Sequence, residues 1–235
     1  MTLGLLPRGA TRRRPPPAPR AILFDLDGTL VDSRRDIANA CNAALEAMGR
    51  PRLPDERVRA MIGDGARALV ARALAVDLSH PDVAPTLEAF QAAYATAPTT
   101  HTVLLPGARQ ALHALPRPFA LVTNKPRAMT ELVLAGLGLD RAFDHVYAGG
   151  DGPLKPSPAG VARALEALSR GAADAWLVGD GPQDVAAGRA AGVYTIAVPG
   201  LADVDAVDAE RPDAWIASLA ELAELSGPPA ARRSP

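Results

Sequence analysis

The stretch that decides the fold is Ala21-Ile22-Leu23-Phe24-Asp25-Leu26-Asp27-Gly28-Thr29. It opens with a continuous apolar run, which predicts a short strand buried on both faces. The run ends in two acids one residue apart, and Gly28 permits the sharp backbone turn that such a loop needs. A solvated acidic turn would explain this segment equally well by itself, so its interpretation depends on the rest of the chain.

Similar apolar runs recur downstream, separated by helical patterns. The runs cover 119–123, 145–148, 175–180 and 194–198, and the helical patterns include 129–137 and 160–168. Strands that alternate with helices predict an α/β fold with a doubly wound parallel sheet. Ligands of such sheets bind beyond the carboxyl ends of the strands, so Asp25, Thr123 and Asp180 are candidate site residues.

The stretch 33–100 interrupts this alternation, because its apolar residues recur at helical spacing and no convincing strand is present. It predicts a small inserted α-helical cap domain, although the high alanine content could exaggerate the helicity. The α/β core is then 21–32 and 101–228. We expect residues 1–20, rich in arginine and proline, to be a disordered leader, and 229–235 a flexible tail.

Composition argues against several classes of protein. Lys+Arg number 25 and Asp+Glu 26, so no overall charge indicates a nucleic-acid or membrane partner. The one cysteine, Cys41, cannot form an internal disulfide, and no His/Cys cluster has zinc-ligand spacing. No apolar stretch is long enough to span a bilayer, and no signal peptide is evident. We therefore expect a cytoplasmic protein, monomeric or homodimeric, with a small-molecule partner.

A second acidic pair, Asp180 and Asp184, opens a predicted helix, where this spacing places both on one face. Helix capping alone would also explain the pair. If the sheet gathers them with Asp25 and Asp27, like charges about 4 Å apart repel by roughly 4 kcal/mol at an effective dielectric of 20. A hard divalent cation would offset this repulsion, and oxygen-only ligands favour Mg²⁺.

Two further elements complete a phosphate site. Thr123-Asn124 follows an apolar run and offers a hydroxyl donor, while Lys155 offers a positive charge for phosphoryl oxygens. Taken alone, Lys155 would be interpreted as a surface lysine. Its proximity in the predicted fold to the four acids favours a phosphate-binding role.

In chain order, these segments resemble the four motifs of the haloacid dehalogenase-like superfamily. The resemblance covers nearly the whole chain after Arg20 and includes the helical insertion, which is similar to the family's small cap. Other segments resemble bacterial phosphoglycolate phosphatases, namely Val31-Asp32-Ser33, Ile62-Gly63-Asp64-Gly65-Ala66, Val122-Thr123-Asn124-Lys125-Pro126 and Gly149-Gly150-Asp151. Relatives that act on N-acetylmuramic acid 6-phosphate share similar segments.

The resemblance implies a role for each residue. Asp25 would attack phosphorus to form an aspartyl-phosphate, and Asp27 would protonate the leaving alkoxide and then activate water. Thr123, Asn124 and Lys155 would bind the phosphoryl oxygens. The implied Mg²⁺ ligands are Asp25, the backbone carbonyl of Asp27, Asp180 and, directly or as support, Asp184.

The implied activity is Mg²⁺-dependent hydrolysis of a small phosphorylated metabolite, 2-phosphoglycolate before other esters. Dehalogenases of the superfamily lack an acid at the position of Asp27, which favours a phosphatase or phosphomutase. A sugar phosphate or N-acetylmuramic acid 6-phosphate stays open as substrate. A phospho-accepting signalling module is the alternative from another class, but it would carry its acid on a middle strand and have no cap.

Overall fold

The computed structural model describes residues 16–226. The predicted tail 229–235 and most of the predicted leader 1–20 lie outside these residues. Within 16–20, the Pro17 carbonyl accepts a hydrogen bond from the Trp176 indole (3.0 Å), and the Arg20 N–H donates to the Asp174 carbonyl (2.7 Å). This part of the chain is therefore joined to the segment around Asp174 and Trp176.

The sheet has the predicted parallel arrangement. In chain order the strands are β1 (Ala21–Phe24), β2 (Val31–Asp32), β3 (Val103–Leu104), β4 (Phe119–Pro126), β5 (His145–Gly149), β6 (Ala175–Gly179), β7 (Tyr194–Ala197) and β8 (Ala214–Trp215). Six of them form a parallel sheet in the order β5-β4-β1-β6-β7-β8, while β2 and β3 pair antiparallel in a separate ribbon. The chain reverses its direction across the sheet between β1 and β6, which is where doubly wound folds bind ligands. The predicted fold class is confirmed.

The helices alternate with the strands except in one block. They are α1 (Arg34–Ala47), α2 (Asp55–Arg59), α3 (Ala66–Leu74), α4 (Val83–Thr96), α5 (Ala108–Ala114), α6 (Arg127–Gly136), α7 (Ala159–Leu168), α8 (Pro182–Ala191), α9 (Val204–Ala209) and α10 (Leu222–Leu225). The first four fall within 33–100, all of which the structure describes, and no strand interrupts them. The domain boundaries themselves stay predictions. Among residues 16–226, no helix combines the length and the apolar character needed to cross a bilayer.

Two apolar clusters cover the two faces of the sheet. Along β1, Ile22 and Phe24 belong to the cluster that also takes in side chains of α1, α3–α6 and α10. Ala21 and Leu23 belong to the cluster formed with α7 and α8. Since successive side chains of a strand point to opposite faces, a strand covered on both sides must be apolar throughout. This is why β1 is a continuous apolar run.

A buried carboxylate joins the two connections between the helical block and the sheet. Asp36, near the start of α1, accepts hydrogen bonds from the backbone N–H groups of His101 (2.9 Å) and Thr102 (2.8 Å). The Thr102 hydroxyl donates to the same carboxylate at 2.8 Å. The chain therefore enters and leaves the α1–α4 block at one fixed point.

Candidate active site

The predicted site residues come together at the carboxyl edge of the sheet. Asp25 follows β1, Thr123 lies in the second half of β4, and Asp180 follows β6; these three strands are neighbours. Lys155 comes from the loop before α7, and Asp184 lies in the first turn of α8. Strand and helix ends far apart in the sequence thus build one site.

Three of the four acids form a buried cluster. Carboxylate oxygens of Asp25, Asp180 and Asp184 lie within 4.8 Å of one another. Burial, opposed by Lys155 and assisted by Asp184, raises the pKa of Asp25 from 3.8 to about 6. Burial, assisted by the charges of Asp25 and Asp184, raises the pKa of Asp180 from 3.8 to about 8. Ionisation of these buried acids costs free energy. A divalent cation that prefers oxygen ligands would offset this cost.

Backbone and hydroxyl donors fix the orientation of the cluster. Asp180 accepts from the Thr29 hydroxyl (3.0 Å) and the Leu201 N–H (2.6 Å). Asp184 accepts from the Gly181 N–H at 2.9 Å. Gly28 has φ +90°, and a Cβ at this position would overlap the Asp180 carboxylate. Gly28 therefore serves both the turn after β1 and the close approach of Asp180.

Lys155 lies at the centre of the site and is 5% exposed. Its Nζ is 2.5 Å from an Asp184 oxygen, 2.7 Å from an Asp25 oxygen and 2.7 Å from the Val122 carbonyl. Burial alone would lower the pKa of Lys155, but the charges of Asp184 and Asp25 outweigh it and raise this pKa. The side chain is a charged partner of the acids, and the surface-lysine interpretation is wrong.

The Asn124 side chain makes hydrogen bonds to two loops of the site. Its Oδ1 accepts from the Lys155 N–H (2.8 Å), and its amide donates to the carbonyls of Lys155 (3.0 Å) and Gly63 (3.1 Å). It therefore positions the backbone of Lys155 and holds the loop between α2 and α3. Phosphate binding through the Asn124 backbone and the Thr123 hydroxyl stays a prediction.

The Asp27 carboxylate lies outside the three-acid cluster. One of its oxygens accepts from the Ser33 hydroxyl at 2.5 Å. The Lys125 Nζ lies 3.1 and 3.2 Å from its two oxygens. The metal contact implied for Asp27 runs through its backbone carbonyl and is untested. Its carboxylate contacts Ser33 and Lys125, and its role in proton transfer stays a prediction.

Lys125 is the site residue that the sequence analysis missed. Its side chain is 2% exposed, and its Nζ lies 4.6 Å from the centre of the Tyr94 ring of α4. The composition contained a signal for this residue, because lysine is rare in the chain. Lys125 and Lys155 are its two lysines, and its other basic side chains of this kind are arginines. Both lysines are buried at this site.

A cleft opens between the carboxyl edge of the sheet and the α1–α4 block, with about 450 Å³ of empty space when the open solvent at its mouth is included. Its floor is polar, with Asp25, Asp27, Thr123, Asn124 and Lys125. Its walls are largely apolar and come from both parts of the chain: Ile37, Ile62, Ala66, Leu69, Phe90 and Met129. The cleft suits a small ligand with one strongly polar end.

The proteins that this chain is similar to belong to the family that its motifs resemble. A sequence model described as haloacid dehalogenase-like hydrolase matches residues 19–192. A phosphoglycolate phosphatase of Pseudomonas syringae pv. syringae is 40% identical over 189 residues, covering 77% of this chain and 69% of the relative. One from Chromobacterium violaceum is 38% identical over 216 residues, covering 88% of this chain and 96% of the relative.

Solved structures agree in fold. A predicted phosphoglycolate phosphatase from Haemophilus somnus superposes with a TM-score of 0.81 at 26% identity, covering 89% of this chain and 98% of that one. The structure of CbbY from Rhodobacter sphaeroides in complex with phosphate superposes with a TM-score of 0.73 at 24% identity, covering 86% and 95%. The likeness therefore extends over the helical block as well as the sheet.

Proposed function

The chain belongs to the haloacid dehalogenase-like hydrolases, and on this basis we propose that it is a Mg²⁺-dependent phosphatase that converts 2-phosphoglycolate to glycolate and phosphate. The relatives named phosphoglycolate phosphatase support a phosphoric monoester hydrolase, as the sequence predicts. The observation that carries the proposal is the buried cluster of Asp25, Asp180 and Asp184, in which Lys155 pairs with Asp25 and Asp184. Of these residues Asp25 lines the cleft.

The first chemical step uses Asp25 and Asp27. A carboxylate oxygen of Asp25 attacks phosphorus, and the bond from phosphorus to the ester oxygen breaks. Asp27 gives its proton to the departing alkoxide, which leaves as glycolate. The hydrogen bond from Ser33 and the ion pair with Lys125 hold the Asp27 carboxyl in place for this transfer.

The second step releases phosphate. Asp27, now ionised, takes a proton from water as the water oxygen attacks phosphorus, and the bond from phosphorus to Asp25 breaks. Lys155 lies 2.7 Å from Asp25 and offsets the repulsion between this nucleophile and an anionic phosphoryl group.

The metal fits the charges of the site. Among the described residues, the four acids Asp25, Asp27, Asp180 and Asp184 have two lysines, Lys125 and Lys155, as ion-pair partners, so this fully ionised set carries an excess of two negative charges. Asp25, Asp180, Asp184 and the Asp27 carbonyl would hold Mg²⁺. When bound, Mg²⁺ supplies positive charge that stabilises the phosphoryl oxygens in the transition state.

The helical block 33–100 would act as the cap that excludes water from the cleft. Its apolar side chains face the polar floor, and the Gly63 carbonyl accepts the hydrogen bond from Asn124. A signalling module is disfavoured because the acid follows the first strand and four helices come next. Phosphomutase activity, other esters, the cytoplasmic location and the monomeric or homodimeric state stay open predictions.

A substrate panel tests the proposed function. We expect Mg²⁺-dependent phosphate release, with a kcat/KM for 2-phosphoglycolate at least about tenfold above that for other esters. One charge-assisted hydrogen bond to the substrate carboxylate would contribute about this much to kcat/KM. The panel includes glucose 6-phosphate, β-glucose 1-phosphate and N-acetylmuramic acid 6-phosphate. A higher kcat/KM for any of these would contradict the substrate, and conversion of β-glucose 1-phosphate to glucose 6-phosphate would indicate a mutase.

Metal should stabilise the protein more as pH rises. The folded metal-free protein holds protons on Asp25 and Asp180, with pKa values of about 6 and about 8, that the unfolded chain releases near 3.8. This contribution to stability is complete below about pH 4 and is lost as pH rises through about 6 and 8. We expect the Tm in EDTA to fall between about pH 5 and pH 8.5, and the Tm gain from Mg²⁺ to grow over that range.

Thermal melts with EDTA and with Mg²⁺ across this pH range measure both Tm values. Asp180→Asn is the matched control, since it removes the group with the higher pKa and should flatten the pH dependence in EDTA. If Mg²⁺ raises the Tm equally at both ends of the pH range, the prediction is contradicted.

A further inference from the structure

In the proposed reaction Lys125 only holds Asp27, yet Lys125 also lines the cleft. Among the described residues that line this cleft it is the only cation, since the buried Lys155 is not one of them. Burial alone would lower the pKa of Lys125, but the charge of Asp27 and the neighbouring Tyr94 raise it. A permanent positive charge therefore borders the space that a ligand would fill.

The position of Lys125 relative to Asp27 determines which part of a ligand it meets. In the proposed reaction the ester oxygen receives a proton from Asp27, so it must lie at hydrogen-bond distance from that carboxyl. Lys125 Nζ is 3.1 Å from the same carboxyl, which puts the ester oxygen within about 6 Å of Nζ. Lys125 therefore adjoins the leaving group.

No arginine of the helical block is among the described residues that line this cleft. Arg67 donates to the Leu78 carbonyl and does not line this cleft. Arg72 lines a neighbouring cleft that shares Asp27, but its guanidinium is paired with Asp64. The wall above the floor is apolar at Ile62 and Phe90. An anionic group on the leaving alcohol thus finds Lys125 as its cationic partner among the cleft residues.

We propose that Lys125 binds a carboxylate carried by the leaving alcohol and so determines the preference for 2-phosphoglycolate over neutral alkyl phosphates. In 2-phosphoglycolate one methylene separates the ester oxygen from the carboxylate, which suits the short distance between Asp27 and Lys125. This inference rests on the proposed function and adds the residue that selects the substrate.

The test compares two substrates that share the phosphate and the ester carbon. 2-Phosphoglycolate has a carboxylate where 2-hydroxyethyl phosphate has a neutral CH₂OH group. We expect Lys125→Met to lower the ratio of their kcat/KM values by about tenfold to 100-fold, the usual effect of a charged hydrogen bond. Lys125→Arg, which keeps the charge, should hold the ratio within about fivefold of native.

The outcomes separate this inference from the proposed function. If Lys125 only positions Asp27, Lys125→Met lowers both kcat/KM values equally and the ratio stays constant, which overturns the inference and leaves the function intact. If the native protein does not hydrolyse 2-phosphoglycolate with Mg²⁺, the function itself fails.

A binding measurement on native protein covers the case in which Lys125→Met does not fold. The chain has two lysines, so labelling with [ε-¹³C]lysine gives two side-chain signals, and Lys125→Arg assigns them. We expect 3-phosphonopropionate, a non-hydrolysable analogue with the carboxylate, to shift the Lys125 signal, and propylphosphonate to shift it far less. Equal shifts with both phosphonates would overturn the inference.

Discussion

Asp25→Asn is expected to lower kcat for 2-phosphoglycolate by about 10⁴-fold or more, since an amide cannot form the phosphoryl intermediate. The fold should survive this change. Burial raises the pKa of Asp25 to about 6, so a neutral isostere removes a carboxyl that ionises at a cost. Steady-state phosphate release, with a thermal melt of the same sample, makes the measurement.

The matched control is Asp205→Asn, which changes an acid exposed on α9 and should keep kcat within about twofold. Native-like activity in Asp25→Asn would contradict the nucleophile. A loss of activity accompanied by a lower Tm would contradict the account of why the buried carboxyl costs stability.

Asp27→Asn should have an effect that depends on the leaving group. For 2-phosphoglycolate we expect a loss of about 10²-fold to 10⁴-fold, the usual contribution of general acid catalysis. p-Nitrophenyl phosphate releases a phenolate that needs no proton, so its first step should lose far less. Because Asp27 also activates water, this variant should give a burst of about one equivalent of nitrophenolate, followed by slow turnover.

Stopped-flow absorbance measures that burst. Ser33→Ala is its control: it removes one hydrogen bond to Asp27 but leaves the acid, so it should cause a smaller loss and no burst. Equal losses on both esters without a burst would show that Asp27 does not transfer the proton.

The sheet was predictable because its strands are buried on both faces. Such strands must be apolar throughout, as β1 is, and a run of this kind is visible without any knowledge of its neighbours. The β2–β3 ribbon was missed, because two-residue strands are too short to carry a pattern. The link from Asp36 to Thr102 was missed because both residues are common at helix starts and turns, and only the fold brings them together.

The acids and Lys155 were found because each follows an apolar run, and parallel strands bring their carboxyl ends together. Lys125 lies within β4, where the sequence offers no reason to expect a charge, and its partner Asp27 is far away in the chain. Burial of a lysine next to a distant acid is a property of the fold. In the sequence, the scarcity of lysine and the segment Val122-Thr123-Asn124-Lys125-Pro126 draw attention to Lys125, but neither indicates its partner.

The most direct measurement of the central claim is chemical trapping of the intermediate on Asp25. Native protein turning over 2-phosphoglycolate with Mg²⁺ is quenched, reduced with borohydride and digested, and the peptide that contains residue 25 is sequenced by mass spectrometry. An aspartyl-phosphate is reduced to homoserine, so we predict homoserine at position 25 with substrate and aspartate without it. Unmodified aspartate at position 25 in both samples, with homoserine at another acid, would contradict the account.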